Sequence, residues 1–375
     1  MKTAVLVNQS TGYLTVDICN AFAKQYDKVV LLAGRIETFS RKLSDNIQIV
    51  YICPYDKSSI ARRLKTWIKG SLKIKKYLSS LDESVDILYF TNPPMSYLWA
   101  DKMKHRFGIV EYDIYPDALR NVKCPSVVMK WWAKRNREIF RKSVGIITLS
   151  NGMKEQLTKY VEAKKIKVIY NWGANEDRLK VNAEDNIFAK KFNLNDKFVV
   201  MYSGNIGYTH NVETIIDVAI KCKDNSNIIF LIIGEGGKKS TLMKKANDEK
   251  LDNVIFSDYL PVEDVKYSMS CANLGVVTLT DETAKVSVPS KTYNLLSYAI
   301  PLLSIAPKES ELGKVIKEYK CGGSFEKDNV DGIVKFIEGC ISDKSAYNEL
   351  IVNAKIASSK FTYKNADSYP LIFKR

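Results

Sequence analysis

Three short turns in the second half of the chain contain the residues best suited to bind a charged group. Each adjoins an apolar run that predicts a buried strand or helix, and the turns are Tyr202–Gly207, Gly234–Gly237 and Pro289–Lys291. Glycines that follow a parallel strand let backbone N–H groups approach a phosphate at the N-terminus of a helix. A lysine just inside such a turn neutralises phosphate charge. Together the three turns predict a crevice for a nucleotide diphosphate.

The third turn is the most specific of the three. Pro289 ends the preceding segment, Ser290 is a favoured N-cap residue, and Lys291 then stands at the helix start, where an anion would sit. Asn294, one turn further along, would face the same ligand and could bond a ribose hydroxyl. The alternative is a plain capped helix with Lys291 in water, just as the two glycine turns would otherwise be ordinary strand–helix connections.

Other kinds of chemistry are poorly supported by the sequence. The second turn does not match the dinucleotide fingerprint G-x-G-x-x-G, because the third glycine of that spacing would fall at Lys239. The chain has two histidines, far apart, and its histidines and cysteines show no zinc-binding spacing, so no metal is expected. It also contains neither a G-x-S-x-G elbow nor a P-loop.

The first half of the chain offers a carboxylate in a similar position. The segment Glu111–Asp117 follows the predicted strand Gly108–Val110, and ligands of α/β proteins bind where such strands end. Asp113 is the candidate to hydrogen-bond a substrate hydroxyl or to act as a base. Thr91–Pro94 is a second candidate loop. The alternatives are a polar loop with Asp117 as a helix cap, and a rigid proline turn.

The order of apolar runs predicts the elements that must position these residues. Short apolar runs alternate with amphipathic segments, which is typical of doubly wound parallel sheets, and 375 residues exceed one compact core. We expect an α/β protein with two doubly wound Rossmann-like domains facing a central cleft. The expected ranges are 1–180 and 198–350 for the domains and 351–375 for a C-terminal helix packing back toward the first domain, with the linker in Asn171–Lys197.

Positive charge is concentrated in the first half. Of the formal net charge of +15, all belongs to residues 1–180, which hold 32 Lys+Arg against 17 Asp+Glu, while the remainder is balanced. The segments Ser58–Leu81 and Ser126–Lys142 combine many of these bases with tryptophan and with apolar residues at helical spacing. Basic amphipathic helices of this kind are typical of membrane surfaces. The alternative is that each apolar stripe packs on its own domain and the bases are merely solvated.

The cellular location of the protein is indicated by the absence of a membrane-spanning run and of a signal-peptide pattern in the sequence. No apolar run reaches the 18 residues of a spanning helix, and the short run that follows Met1 does not resemble a signal peptide. The seven cysteines form no C-x-x-C pair, which favours reduced thiols. We therefore expect a cytoplasmic protein bound peripherally to the inner face of the cell membrane.

The same residues resemble a known family, the GT-B glycosyltransferases of family 4. The similarity lies in Tyr202–Gly207, Gly234–Gly236, Phe256–Pro261 and Pro289–Asn294, and is greatest to bacterial polysaccharide transferases with a P-S-K-x-x-E signature. In the first half, Thr91–Pro94, Glu111–Asp117 and Val168–Trp172 are similar to landmarks of that family.

The resemblance implies a hexosyltransferase-type enzyme that moves a sugar, with retention at the anomeric carbon and no required metal or other cofactor. The nucleotide-sugar donor, in this interpretation a UDP-sugar, would be held by the C-terminal domain, and a lipid-diphosphate-linked saccharide acceptor by the N-terminal domain. Asp113 and Lys291 would be catalytic. The donor-binding residues would be Gly204, Asn205, Ile206, Gly207, Gly234, Glu235, Gly236, Tyr259, Leu260, Pro289, Ser290, Lys291 and Asn294.

The chain departs from the family pattern at two positions. Asn294 stands where the signature has glutamate, and the earlier glutamate of the wider E-x7-E pattern would fall at Val286. The residues that bind the sugar hydroxyls therefore stay unassigned. Two other functions compete with glycosyl transfer: a nucleotide-sugar 2-epimerase, which also uses two such domains, and a nucleic-acid-binding protein, which the basic half permits. The leading interpretation involves no nucleic acid.

Overall fold

The computed structural model describes residues 1–38, 41–119, 124–174, 180–208, 210–284 and 288–374. The chain forms two compact units. The first comprises Met1–Ala174 together with Tyr363–Arg375, and the second comprises Asn175–Thr362.

The first unit is built on a parallel sheet with helices between its strands. Its strand order is β5-β3-β1-β6-β7-β8-β9, and β2 pairs separately with β4. The strands are β1 (Thr3–Val7), β2 (Ser10–Thr11), β3 (Lys28–Ala33), β4 (Arg35–Ile36), β5 (Ile47–Tyr51), β6 (Asp86–Phe90), β7 (Arg106–Glu111), β8 (Ile146–Thr148) and β9 (Ile166–Val168). The helices are α1 (Tyr13–Ala23), α2 (Ile60–Ser79), α3 (Ser126–Lys142) and α4 (Asn151–Leu157). Because β1 and β6 lie inside the sheet with both faces covered, they are almost continuously apolar and buried.

The end of the chain completes the first unit. The expected helix at 351–375 takes a different form, because the last α-helix ends at Ser358 and the tail continues as two 3-10 helices, Tyr363–Ser368 and Pro370–Phe373. The Phe373 ring packs edge-on against Phe22 of α1 at a centroid distance of 6.1 Å. This packing adds tail residues to the apolar core of the unit.

The second unit has the strand order β12-β11-β10-β13-β14-β15, again with parallel pairing. Its strands are β10 (Phe198–Ser203), β11 (Ile228–Ile233), β12 (Val254–Ser257), β13 (Leu274–Thr278), β14 (Leu302–Ile305) and β15 (Gly322–Phe325). Its helices are α5 (Ile187–Phe192), α6 (Glu213–Lys221), α7 (Lys239–Asp248), α8 (Val265–Cys271), α9 (Asp281–Ala284), α10 (Ser290–Ser297), α11 (Glu311–Tyr319), α12 (Val330–Ser342) and α13 (Lys344–Ser358). The strand order reverses at β10, the position where ligands of doubly wound sheets bind.

The predicted fold class is confirmed: the protein is α/β, with two Rossmann-like domains on parallel sheets. One local expectation was too simple. The segment expected as a linker contains α5, which belongs to the second unit and whose Asn186 side chain accepts the N–H groups of Phe188 and Ala189 at 3.0 Å each. Polar composition had concealed a short capped helix.

Candidate functional site

The two glycine turns of the second unit are locked together. Because β10 and β11 are neighbours, the Gly204 N–H donates to the Ile233 carbonyl at 2.9 Å and the Ile206 N–H donates to the Glu235 carbonyl at 2.8 Å. Gly234 has a φ of +146°, and a Cβ there would lie 1.9 Å from the carbonyl oxygen of Gly204. Only glycine fits this contact without displacing backbone. The second turn thus serves as a support that fixes the shape of the first.

This packing changes which backbone groups can meet a ligand. The expectation that the whole run from Gly204 to Gly207 presents free N–H groups needs correction, since Gly204 and Ile206 use theirs internally. Within the described part of the chain, the N–H groups of Asn205 and Gly207 have no hydrogen-bond acceptor. These two are the amides of the turn that remain for an anion.

Lys291 lies directly against the first turn. Its ammonium nitrogen is 4.1 Å from the ring centroid of Tyr202, and a Cβ added to Gly204 would approach it to 2.8 Å. The Tyr202 hydroxyl in turn donates to the Asn205 carbonyl at 2.7 Å, so this ring supports both the turn and the lysine.

The Lys291 ammonium is buried and has no hydrogen-bond partner among the described residues. Burial lowers the pKa of Lys291 to about 8. A buried cation without a partner is costly unless an anion accompanies it. The geometry therefore indicates a site that is complete only when an anion is bound next to Gly204.

The start of α10 differs from the sequence prediction in one detail. The helix begins at Ser290, so Pro289 occupies the N-cap position with an extended backbone, and no side chain caps the first turn. Ser290 is exposed instead of acting as the cap. Lys291 is therefore the second helical residue, and the partial positive charge of the helix N-terminus adds to that of its ammonium.

His210 is a member of this site that the sequence analysis did not find. Its backbone N–H donates to the Gly207 carbonyl at 3.2 Å, and its Nδ1 atom is buried without a partner in the described structure. Burial lowers the pKa of His210, and the charges of Lys291 and Lys238 lower it further. A lone histidine carries no motif, and only its position three residues after Gly207 could have drawn attention to it.

The other residues predicted to bind the donor differ in how far they are exposed to solvent. Glu235 is exposed and pairs with Lys239 at 2.6 Å, so a ligand would have to compete for its carboxylate. Tyr259 is more than half exposed, and it lies close enough to Tyr202 to add to the rise in the pKa of that phenol, which burial dominates. Leu260 and Asn294 are half-buried. Val286 lies outside the described residues.

Asp113 lies at a pocket of the first unit. The pocket has a volume of about 240 Å³ and is formed where β1, β6 and β7 end, with lining residues that include Asn8, Thr91, Asn92 and Asp113. The Thr91 hydroxyl accepts the backbone N–H groups of Tyr112 at 3.2 Å and of Asp113 at 3.4 Å. The two loops that the sequence singled out thus meet in one pocket. Desolvation raises the pKa of Asp113, while the charge of Arg63 lowers it.

Glu111, two residues before Asp113, is fully buried at the end of β7. Burial raises the pKa of the Glu111 carboxyl well above its ordinary value, Asp113 raises it further, and the Tyr97 hydroxyl opposes the shift. The folded protein therefore keeps the proton of this carboxyl to a higher pH than the unfolded chain does. Folding takes up a proton, so the free energy of unfolding falls as pH rises above the ordinary value of 4.5.

We expect Glu111→Gln to remove this pH dependence, because glutamine has the shape of the protonated acid and no proton to lose. The melting temperature of the variant relative to the wild type should rise steadily from pH 5 to pH 8. Glu155→Gln, at an exposed position of α4, is the matched control and should show no such trend. A difference that stays constant with pH would show that Glu111 is ionised inside the fold.

The basic helices of the first unit are only partly as predicted. Trp67 of α2 and Trp132 of α3 point into the protein and are 5% and 2% exposed, so these two tryptophans belong to the buried faces of their helices. Trp131 is 54% exposed. A second apolar stripe on α2 does lie on the surface, with exposed fractions between 44% and 71%, and consists of Ile60, Leu64, Ile68 and Leu72.

The exposed bases of α2 flank this stripe and include Lys65, Lys69, Lys73 and Lys76. Within the ranges described above, no helix has the length and apolar character to cross a bilayer. Across the same residues, no group of three or more His, Cys, Asp or Glu side chains is arranged to hold a metal ion.

Part of the chain is similar in sequence to known proteins. Residues 183–357 match the sequence model of the family described as glycosyl transferases group 1. WbjE of Pseudomonas aeruginosa, named as a glycosyltransferase, is 21% identical over 260 residues, which is 67% of this chain and 65% of WbjE. WcaI of Escherichia coli K12, named for colanic acid biosynthesis, is 26% identical over 178 residues, or 46% of this chain and 43% of WcaI. The aligned region thus spans less than two thirds of either relative.

Solved structures share the fold over nearly the whole chain. HepE of Anabaena, crystallised with UDP, superposes with a TM-score of 0.72 at 16% identity and covers 98% of both chains. The fold is therefore GT-B. The match of residues 183–357 to the model of the glycosyl transferases group 1 supports a glycosyltransferase of this fold.

Proposed function

We propose that this protein transfers a sugar from a nucleotide-diphosphate sugar, with UDP as the nucleotide, to a lipid-linked saccharide acceptor. The observation that carries the proposal is the buried Lys291 ammonium, which has no hydrogen-bond partner in the described structure and lies against a glycine turn with two free amides. A diphosphate supplies the charge and the acceptor atoms that such a site lacks. The UDP bound to HepE, a neighbour of the same fold, supports the choice of nucleotide.

In the proposed reaction, the bond between the anomeric carbon and the diphosphate breaks and negative charge develops on the leaving oxygen. Lys291, the Asn205 and Gly207 amides and the N-terminus of α10 stabilise that charge, the role a metal ion plays in other transferases. The reaction needs no metal in this proposal because these groups supply the positive charge. His210 is neutral at pH 7, since its pKa is lowered, and can accept or donate a hydrogen bond beside the diphosphate. Retention at the anomeric carbon is part of the proposal and rests on the resemblance to family 4.

The acceptor is assigned to the first unit. Asp113 lies on a pocket edged by polar loops, and its raised pKa suits a group that accepts the proton of an attacking hydroxyl. We assign the protein to the cytoplasmic face of the bacterial cell membrane, in the synthesis of a surface polysaccharide. The exposed apolar stripe of α2 favours a lipid surface over nucleic acid. Leucine and isoleucine side chains that lie beside lysines insert into lipid, whereas they gain nothing from contact with the phosphate backbone of a nucleic acid.

The proposal is tested by thermal denaturation of the protein with UDP, UDP-sugars and the corresponding GDP and ADP compounds. A donor that binds the folded state at one hundred times its dissociation constant stabilises it by about 2.7 kcal/mol. UDP compounds should raise the melting temperature most, and UDP release from the best donor should increase when a lipid extract is added. UDP release that needs no acceptor would favour the epimerase. If none of the nucleotides or nucleotide sugars changes the melting temperature, the proposed donor site is refuted.

A further inference from the structure

Arg63 of α2 is the only basic side chain of that helix that the structure ties into an aromatic cluster beside Asp113. Its guanidinium carbon lies 4.6 Å from the ring centroid of Trp67, and its Nη2 group donates to the Tyr115 hydroxyl at 3.3 Å. The Tyr55 ring stacks on Trp67, with an interplanar angle of 3° and a centroid distance of 6.2 Å. The guanidinium is therefore held between the Trp67 ring of α2 and the Tyr115 hydroxyl, which lies in the loop after β7.

The charge of Arg63 is incompletely matched. Its Nε atom is buried and has no hydrogen-bond partner, and among the described residues Arg63 forms no ion pair. Asp113 acts on the same cluster, since it raises the pKa of Tyr55 and Tyr115 while Arg63 lowers both, although burial dominates each shift. A buried donor of a guanidinium without an acceptor indicates that an oxyanion belongs there.

The neighbouring residue Arg62 differs from Arg63 in its exposure and in its ion pairing. Its side chain is 69% exposed and pairs with Asp56 at 3.8 Å. The two arginines are adjacent in sequence, yet helical geometry turns Arg62 to water and Arg63 to the protein. The position of Arg63 against the protein is therefore not explained by a general need for positive charge on the surface of α2.

We propose that Arg63 binds the phosphoryl group of the acceptor at the junction between its lipid and its saccharide. The inference rests on the proposed function. Leu64, which follows Arg63, belongs to the exposed apolar stripe, while Asp113 lines its pocket and interacts with the charge of Arg63. A lipid lying along the stripe would bring its phosphoryl group to Arg63 and its sugar toward Asp113. A planar guanidinium recognises phosphate oxygens in pairs, which suits this selection.

The test measures binding of geranyl diphosphate, with geraniol as the uncharged counterpart, by calorimetry on the full chain saturated with UDP so that the donor site is occupied. The wild type should bind the diphosphate at least about tenfold more tightly than geraniol, the effect of charge-assisted hydrogen bonds to an arginine. Arg63→Met should abolish that preference while keeping the apolar stem over Trp67. Arg62→Met is the matched control and should retain it.

Arg63→Gln provides a second variant, because its amide can still donate to Tyr115 and preserve the cluster. The inference is overturned if the wild type shows no preference, if both Arg63 variants bind the diphosphate normally, or if Arg62→Met loses as much. An unchanged rise of melting temperature with UDP shows that the Arg63 variants are folded and bind donor. If UDP does not bind even the wild type, the proposed function fails, and the same comparison in a Lys291→Ala background still decides the role of Arg63.

Discussion

Replacing Lys291 with alanine is expected to lower turnover of the donor by about a hundredfold or more without unfolding the protein. The ammonium lies 4.1 Å from the Tyr202 ring and against Gly204, so its loss removes the cation nearest to the proposed diphosphate. Removing one preorganised group from a developing charge costs on the order of 3 kcal/mol in the activation barrier. The fold should survive, because the substitution also removes a buried charge that has no hydrogen-bond partner in the described structure. Steady-state rates and melting temperatures measure the two effects separately.

Lys244→Ala is the matched control for this prediction. Lys244 is an exposed lysine of α7 in the same unit, and its loss should change neither rate nor stability appreciably. A folded Lys291→Ala protein with turnover near that of the wild type would remove Lys291 from the mechanism.

The pH dependence of donor binding supplies an independent check on the same lysine. Its pKa in the free protein is about 8, below the ordinary 10.5, and a bound diphosphate should raise it because the charged form is then favoured. Affinity for UDP should therefore fall about tenfold between pH 7 and pH 9, as the free ammonium loses its proton. In Lys291→Met this fall should disappear.

The effect of Lys291 on the free protein has the opposite sign. Below pH 8 the lysine is charged in both the folded and the unfolded state, so the full cost of burying the charge is present. As pH rises from about 8 toward 10.5, the folded state loses the proton first and that cost is relieved. Stability without ligand should gain from Lys291 over this range while UDP affinity declines, and no general alkaline denaturation gives both trends.

Local patterns made the candidate donor site predictable where one strand, one turn and one helix suffice. Gly204 and Lys291 were found because a glycine after an apolar strand and a lysine at a helix start are sequence signals. The supporting role of Gly234 was not visible, since it depends on the pairing of β10 with β11. His210 was missed for the same reason: its environment is made by Lys238 and Lys291, which are distant in sequence.

Helical periodicity in α2 had a further limit. The helix carries two apolar faces, one through Trp67, Ile74 and Leu78, and the other through Leu64 and Leu72. Helical spacing alone cannot tell which of the two faces is buried in the protein. The structure buries the first face and leaves the second in solvent next to the exposed lysines.

That exposed face leads to the second large expected effect. Apolar side chains that lie in water beside bases are suited to the boundary between lipid headgroups and acyl chains. Each lysine near an anionic surface contributes roughly 1 kcal/mol of attraction. Lys65, Lys69 and Lys73 are exposed, whereas Lys75 lies 5.0 Å from the ring centroid of Trp99 and is better left in place.

Changing Lys65, Lys69 and Lys73 together to glutamate is expected to lower partitioning onto anionic vesicles by about a hundredfold or more, because three attractions of roughly 1 kcal/mol each become repulsions. Cosedimentation with phosphatidylglycerol vesicles measures this, and binding of the wild type should weaken with added salt as screening shortens the reach of the charges. The same charge change at Lys223, Lys244 and Lys335, exposed residues of the second unit, is the matched control and should leave partitioning nearly unaltered. A similar loss in both triple variants would mean that net charge, and not α2, attaches the protein.

Replacing Leu64 and Ile68 with serine should weaken binding even at high salt, since that part of the attraction is apolar. If these serines have no effect while the glutamates do, the stripe does not enter the lipid and α2 binds the surface by charge alone.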